Sequence, residues 1–349
     1  MSPSAEEAAP RAPAPLRVLR AVDPYVAALA GTVALAAVLP ASGRVAGGVD
    51  VASDVAIGLL FFLYGARLST RETVAGLRHS RLHLMVVGAT FVLFPLLGLA
   101  TAVLVPGVLT QGLHEGVLFL CVVPSTVQSS VALTSIARGN VPAAICAGTY
   151  SSLLGLAVTP LLTTWLIGAG ATLSADGLLR IGGQLLAPFV AGQVLRPWIG
   201  GFVARHRRVF GPVDRGSILL VVYAAFSAGM EQGVWGRIAP PDLLALLLVL
   251  GALLAVALAG TRLAARALGL DAPSVTAAVL CGSQKSLANG LPMAAVLFGG
   301  GAALMILPLM LYHQMQLMVC AALARRWARG RPAAVAPGGA ASPAPQPGG

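Results

Sequence analysis

Lys285 stands in the stretch CGSQKSLANG (281–290) and is the single lysine among 349 residues. Ser283, Gln284 and Ser286 surround it, and the sequence on either side is almost wholly apolar. A second polar group interrupts another apolar run. It is PSTVQSS (124–130), with Ser125, Thr126, Gln128, Ser129 and Ser130. Hydroxyls, amides and an ammonium can together bind an ion or a small polar solute. Taken one at a time, such residues often only glue helices together; two matched clusters point to a ligand site. Ser283 and Lys285 also raise the chemistry of a Ser–Lys hydrolase, in which an amine activates a hydroxyl. Against it, side chains at i and i+2 point apart on a helix, and no GxSxG accompanies them.

The elements that hold these clusters must cross lipid. Hydrophobic residues make up 57% of the chain and charged residues 10%, with a mean hydropathy of +0.85. A soluble domain carries about 25% charged residues. The net charge of +11 would suit nucleic acid in a soluble protein. Here the arginines lie between apolar runs, which fits membrane topology and excludes a nucleic-acid partner. Cys121, Cys146, Cys281 and Cys320 all fall inside apolar segments, so they read as buried core residues rather than a disulfide framework or metal cluster.

A crossing helix needs about 20 mostly apolar residues. Ten such spans can be read: 24–40, 51–66, 82–105, 115–137, 142–168, 177–199, 214–234, 241–265, 273–298 and 302–324. Residues 1–22 and 328–349 are Ala/Pro-rich and read as disordered tails. RVLR and the apolar run after it could pass for a cleaved signal peptide, but the span count predicts that this run stays. With the N-terminus in the cytoplasm, the inside segments hold Arg67, Arg138, Arg205, Arg208, Arg262, Arg266, Arg325 and most other arginines. The outside segments keep Arg44, Arg180 and Arg237. This positive-inside alternation predicts a multi-pass protein of the cell membrane with both termini cytoplasmic.

The two polar clusters fall in spans four and nine, the same place in two halves of five. SIARGNVPAAI (135–145) and SLANGLPMAAV (286–296) also resemble each other. An odd number of crossings per half inverts the second half, so the chain reads as two inverted repeats, about 23–168 and 177–327. Each cluster lies roughly 15–20 Å from either surface at 1.5 Å per residue, near the bilayer midplane. Pro124 and Gly282 predict that both helices break there, near Ser125–Gln128 and Gly282–Lys285, and that the breaks pack together. Broken helices expose backbone groups and partial charges suited to ions, and are tolerated only inside protein or beside a cavity.

VVPSTVQSSVALTSIARGNVPAAI and CGSQKSLANGLPMAAV resemble the bile acid:sodium symporter family, in its divergent bacterial and eukaryotic branch. The resemblance covers about residues 23–327. It implies a ten-helix transporter domain, with a panel from spans 1, 2, 6 and 7 and a core from spans 3–5 and 8–10. The broken fourth and ninth helices cross behind a substrate cavity, and transport proceeds by alternating access. Ser130 and Gln284 match family positions near sodium, Ser129 adjoins the first, and Thr90 in span three sits where the family often has a polar sodium ligand. The family's ninth-helix glutamate, four positions before the glutamine, is here Leu280, and its asparagine after the glutamine is Lys285. A carboxylate is lost and an ammonium gained.

The resulting expectation is a secondary active transporter of a small organic anion in the lipid bilayer, without a bound cofactor. Sodium, near Ser129, Ser130 and Gln284, or a proton is the coupling ion to be tested. Lys285 is read as a tethered cation in the place of sodium, solvated by cavity water and by hydroxyls and carbonyls of the breaks. A non-transporting membrane regulator of ion homeostasis or envelope synthesis is the second reading, and the Ser–Lys hydrolase the third. Glu115, Glu231 and Asp54 read as interfacial carboxylates. His79 and His83 read as solvated or headgroup-facing, beside an amphipathic stretch (71–81) on the cytoplasmic surface.

Overall fold

A computed structural model describes residues 24–67, 80–168, 182–233, 236 and 238–329. The N-terminal tail, nearly all of the C-terminal tail, His79 and most of the amphipathic stretch lie outside them. The described residues form helices joined by short turns. These are α1 (Pro24–Val38), α2 (Gly43–Arg67), α3 (Ser80–Gly88), α4 (Phe94–Ala100), α5 (Gln111–Val122), α6 (Gln128–Ile136) and α7 (Val141–Ile167). They continue with α8 (Ala187–Arg205), α9 (Arg207–Glu231), α10 (Pro240–Ala267), α11 (Ala272–Ser283), α12 (Leu287–Phe298) and α13 (Ala302–Arg329).

Among the described residues, six helical segments are long and apolar enough to cross a membrane: Gly43–Arg67, Ser80–Leu104, Val141–Ile167, Arg208–Glu231, Pro240–Ala267 and the run Ala272–Arg329. Their outer faces carry large exposed apolar side chains such as Leu84, Trp165, Leu248 and Leu263. In water these would be a liability; against lipid they are the expected surface. The chain is therefore a multi-pass α-helical membrane protein. Arg67, Arg205, Arg266, Arg326 and Arg329 each lie in the last turn of a helix, where a cation also meets the negative end of the helix dipole.

Two groups of helices emerge from the packing. α1, α2, α8 and α9 lie against one another, while α3–α7 and α10–α13 form the larger group, with α9 also touching α12 and α13. The α2–α8 contact is the broadest and brings backbones together. A Cβ on Gly65 would lie 2.1 Å from the Phe189 carbonyl oxygen, and one on Gly192 would lie 2.1 Å from that of Phe62. Small residues at such contacts let van der Waals packing drive association in lipid. Gln193 adds a side-chain hydrogen bond to the Gly65 carbonyl at 2.7 Å.

Several boundaries depart from expectation. α2 begins at Gly43 rather than residue 51, so Arg44 and Asp50 lie inside it, and α13 runs to Arg329, two residues into the expected tail. Gly282 does not break its helix; it is buried within α11 against Thr261, Ala89 and Met85, and one glycine costs a helix only about 1 kcal/mol, which such packing outweighs. The two similar stretches also occupy different places. Residues 135–145 run from the end of α6 through a turn into α7, whereas 286–296 lie almost wholly inside α12. The correspondence lies instead in the breaks: α5 and α11 are each 12 residues long, and each is followed by a short irregular link and a second helix.

Candidate functional site

Residues 123–127 separate α5 from α6, and residues 284–286 separate α11 from α12. Pro124 explains the first interruption, since it has no N–H to donate and disfavours helix before it. The second has a tertiary cause. Gln316 of α13 accepts the Lys285 N–H through Oε1 at 2.8 Å and donates through Nε2 to the Lys285 carbonyl at 2.9 Å. Both backbone groups of Lys285 are thereby withdrawn from a helical ladder. Tyr312 donates its hydroxyl to the Ser283 carbonyl at 2.8 Å, and the Ser286 hydroxyl caps α12 by accepting from Asn289 N–H at 3.2 Å.

The breaks lie directly against each other. Ser286 N–H donates to the Pro124 carbonyl at 2.8 Å, Ser125 Oγ donates to the Cys281 carbonyl, and Ser129 Oγ donates to Gln284 Oε1 at 2.7 Å. From α7, Ser151 Oγ accepts the Ser125 N–H at 2.9 Å, and Thr159 Oγ1 donates to the Val122 carbonyl at 2.8 Å. Ser130 spends its hydroxyl on the Thr126 carbonyl and Ser283 on the Val279 carbonyl. Ser125, Ser130, Ser283, Gln284 and Lys285 are all fully buried.

A π-helical turn, Ala89–Leu93, separates α3 from α4. Thr90 lies in it, with its hydroxyl returned to the Val86 carbonyl at 2.8 Å. Its carbonyl faces the crossing and accepts from Lys285 Nζ at 3.1 Å. The ammonium also donates to the carbonyls of Cys121 and Val123, both at 2.8 Å. Lys285 thus differs from expectation. Its charge is met by carbonyls, as foreseen, but only that of Val123 belongs to a break; the others come from the end of α5 and from the π turn. No hydroxyl is among its acceptors within the described residues, and its side chain does not line the cavity. Ser283 and Lys285 engage different acceptors and form no nucleophile–base pair.

A cavity of about 300 Å³ lies between the two helix groups. Thr126 and Gln128 border it at the start of α6, and Ser286 and Asn289 at the start of α12. Tyr64 and Arg67 of α2 and Phe189 of α8 form the facing wall, with Thr149 and Ser152 of α7 beside them. Of the ten residues singled out from sequence, Thr126, Gln128 and Ser286 border this space. Thr90, Ser125, Ser129, Ser130, Ser283, Gln284 and Lys285 form the packed interior of the crossing. The N-terminal turns of α6 and α12 both reach the cavity, and such ends carry partial positive charge. Arg67 is the charged residue in the wall, and its guanidinium pairs with Asp214 of α9.

Sequence reasoning missed Arg67, Ser152, Asn289 and Gln316. Arg67 had been explained by topology alone, and Asn289 was noticed only as part of a repeat. Gln316 carried a signal in the run YHQMQ (312–316), unusually polar for a last span. His83 also departs from the reading: it is buried in α3, its ring edge-on to Tyr150 with centroids 5.0 Å apart. Asp54 accepts from Gln184 Nε2 at 2.6 Å and Glu115 from Gln111 Nε2 at 2.9 Å. All four cysteines are free thiols, three of them buried.

Comparison with known proteins gives concordant matches. Residues 23–329 match the SBF-like CPA transporter family. The chain is 53% identical over 317 residues to the uncharacterized protein PA2026 of Pseudomonas aeruginosa, covering 90% of this chain and 95% of that one. It is 44% identical over 318 residues to the putative symporter YfeH of Escherichia coli, again covering 90% and 95%. It is 27% identical over 295 residues to sodium/bile acid cotransporter 7 of Danio rerio, covering 81% and 87%.

Proposed function

Because the chain belongs to the SBF-like CPA transporter family, we propose that this membrane transporter carries a small organic anion by alternating access through the cavity between its two helix groups. One observation carries the reading: the cavity joins the N-terminal ends of α6 and α12, which carry partial positive charge, to the guanidinium of Arg67, which Asp214 shares from behind the wall. The polar groups around it, Thr126, Gln128, Thr149, Ser152, Ser286 and Asn289, can hydrogen-bond a carboxylate or sulfonate while Tyr64 and Phe189 cover its apolar part.

The reading extends to ten crossings in two inverted halves within residues 23–327, with both termini cytoplasmic in the cell membrane. The equal lengths of α5 and α11, each followed by a break and a second short helix, support the inverted halves. The arginine pattern supports the orientation, and on it Arg67 marks the cytoplasmic mouth of the cavity. α1, α2, α8 and α9 then move against the remaining helices during the cycle. Coupling to sodium follows the name of the cotransporter relatives; a proton is the alternative.

The test is a thermal-stability screen of the purified full chain against small carboxylates and sulfonates, in sodium and in choline salts, followed by flux of the best stabiliser in proteoliposomes. Saturable stabilisation by an anion and its uptake into vesicles are expected. Stabilisation by cations or neutral solutes alone would overturn the anion assignment, and binding without flux would turn the reading towards a regulator.

A further inference from the structure

The three carbonyls that hold Lys285 Nζ are all left over from interrupted helices. In the π turn, Phe94 N–H donates to the Ala89 carbonyl, and Pro95 has no N–H, so Thr90 O loses both of its helical donors. At the end of α5, the Ser125 N–H that would serve Cys121 O is diverted to Ser151. Val123 O lies in the break itself, beyond the last residue of α5. Three orphaned acceptors from two segments therefore converge on one point, and two of them sit at the negative end of a helix dipole. The face of Phe94 lies 4.0 Å from the same nitrogen, presenting the negative side of its quadrupole.

This is the donor set of a monovalent cation: backbone oxygens, an aromatic face and no hydrogen-bond donor. A neutral amine has two N–H groups and a lone pair, and would set that pair against a carbonyl oxygen. An ammonium has three N–H groups for the three acceptors. Among the described residues no carboxylate is a partner of the ammonium. The Gln316 clamp fixes the backbone of Lys285 at both N–H and C=O, so the charge is held in position.

We propose that Lys285 is a built-in cation: its ammonium fills a monovalent-cation site made by the carbonyls of Thr90, Cys121 and Val123 under the Phe94 ring, and no free metal ion enters the crossing there. The tethered charge neutralises the negative end of α5, leaving the positive ends of α6 and α12 to set the field in the cavity. Any coupling ion acts elsewhere. The inference concerns the crossing and does not depend on which solute the cavity takes.

The test uses the purified full chain in detergent. Lys285→Ala removes the equivalent of propylammonium beyond Cβ and opens the site. This variant should melt several degrees below the wild type in choline chloride and recover with propylammonium or sodium, but not with 1-propanol. Lys285→Met keeps the stem without the charge; it should lose comparable stability and recover with neither cation. Loss with no cation-specific rescue of the alanine variant, or a methionine variant as stable as the wild type, would overturn the proposal. Should the alanine variant fail to fold, the wild type decides. Labelling with 15N-lysine gives one side-chain resonance, because there is one lysine. An ammonium shift that does not move when sodium replaces choline is expected; an amine shift, or displacement on titrating sodium, would refute the site.

Discussion

Ser129 and Gln284 meet across 155 positions of sequence, the hydroxyl donating to the amide oxygen at 2.7 Å. The contact ties the first turn of α6 to the second break, and it lies beside the Ser286–Pro124 backbone bond that joins the breaks directly. The crossing is thus a single hydrogen-bonded unit rather than two neighbouring irregularities.

The losses on removing the two sides of that contact should not add. Ser129→Ala leaves the Gln284 oxygen without its donor, a loss of about 1–3 kcal/mol for a buried acceptor. The double variant Ser129→Ala/Gln284→Leu should lose less than the sum of the single changes. Thermal unfolding of the four proteins measures the coupling; additive losses would show that the pair contributes nothing as a pair.

The α2–α8 contact makes a sharper prediction. Gly192→Ala places a methyl where the Phe62 carbonyl oxygen would be 2.1 Å away, so the helices must separate. The expected result is a steep fall in folded yield by size-exclusion chromatography. Gly58→Ala, whose Cβ would meet Pro188 at 3.9 Å, is the tolerated control. Equal behaviour of the two would mean that α2 and α8 do not approach as described.

Arg67 should govern anion affinity. Hydrogen bonds to a charged group contribute about 1.5–3 kcal/mol, so Arg67→Gln should weaken the binding of a stabilising carboxylate roughly ten- to hundredfold. Asp214→Asn removes the competing partner of the guanidinium and should leave binding equal or tighter. Titrations followed by thermal shift separate the cases, and an unchanged affinity in Arg67→Gln would remove the residue from the site.

Orientation can be read with cysteines placed in a cysteine-free chain. Arg208→Cys, near the start of α9, should resist a membrane-impermeant maleimide in intact cells and react after permeabilisation. Arg44→Cys, near the start of α2, should react from outside. The reverse pattern would invert the topology.

Much of this protein is legible one residue at a time. The apolar runs and the arginines between them specify a multi-pass helical protein, because lipid demands internally satisfied backbone and charge at the rims. Pro124 announces the first break, since a missing N–H and a steric clash act locally. The polar residues around Lys285 mark the second break as unusual.

Tertiary structure alone decided the rest. Gln284–Ser286 leave the helix because Gln316, 31 residues beyond Lys285, takes both of its backbone groups; no propensity of the sequence around Gly282 encodes that. Whether Lys285 faces the cavity or the interior was equally out of reach of the sequence. A lysine needs acceptors, but which carbonyls are free depends on the donors that Pro95 removes from one helix and Ser151 draws from another. The cavity wall follows the same rule: Arg67, Ser152 and Asn289 come from α2, α7 and α12, and only the packing of those helices puts them around one space. Local sequence fixes where a helix is weak, whereas long-range contacts fix which of its unsatisfied groups find partners, and therefore where charge comes to rest.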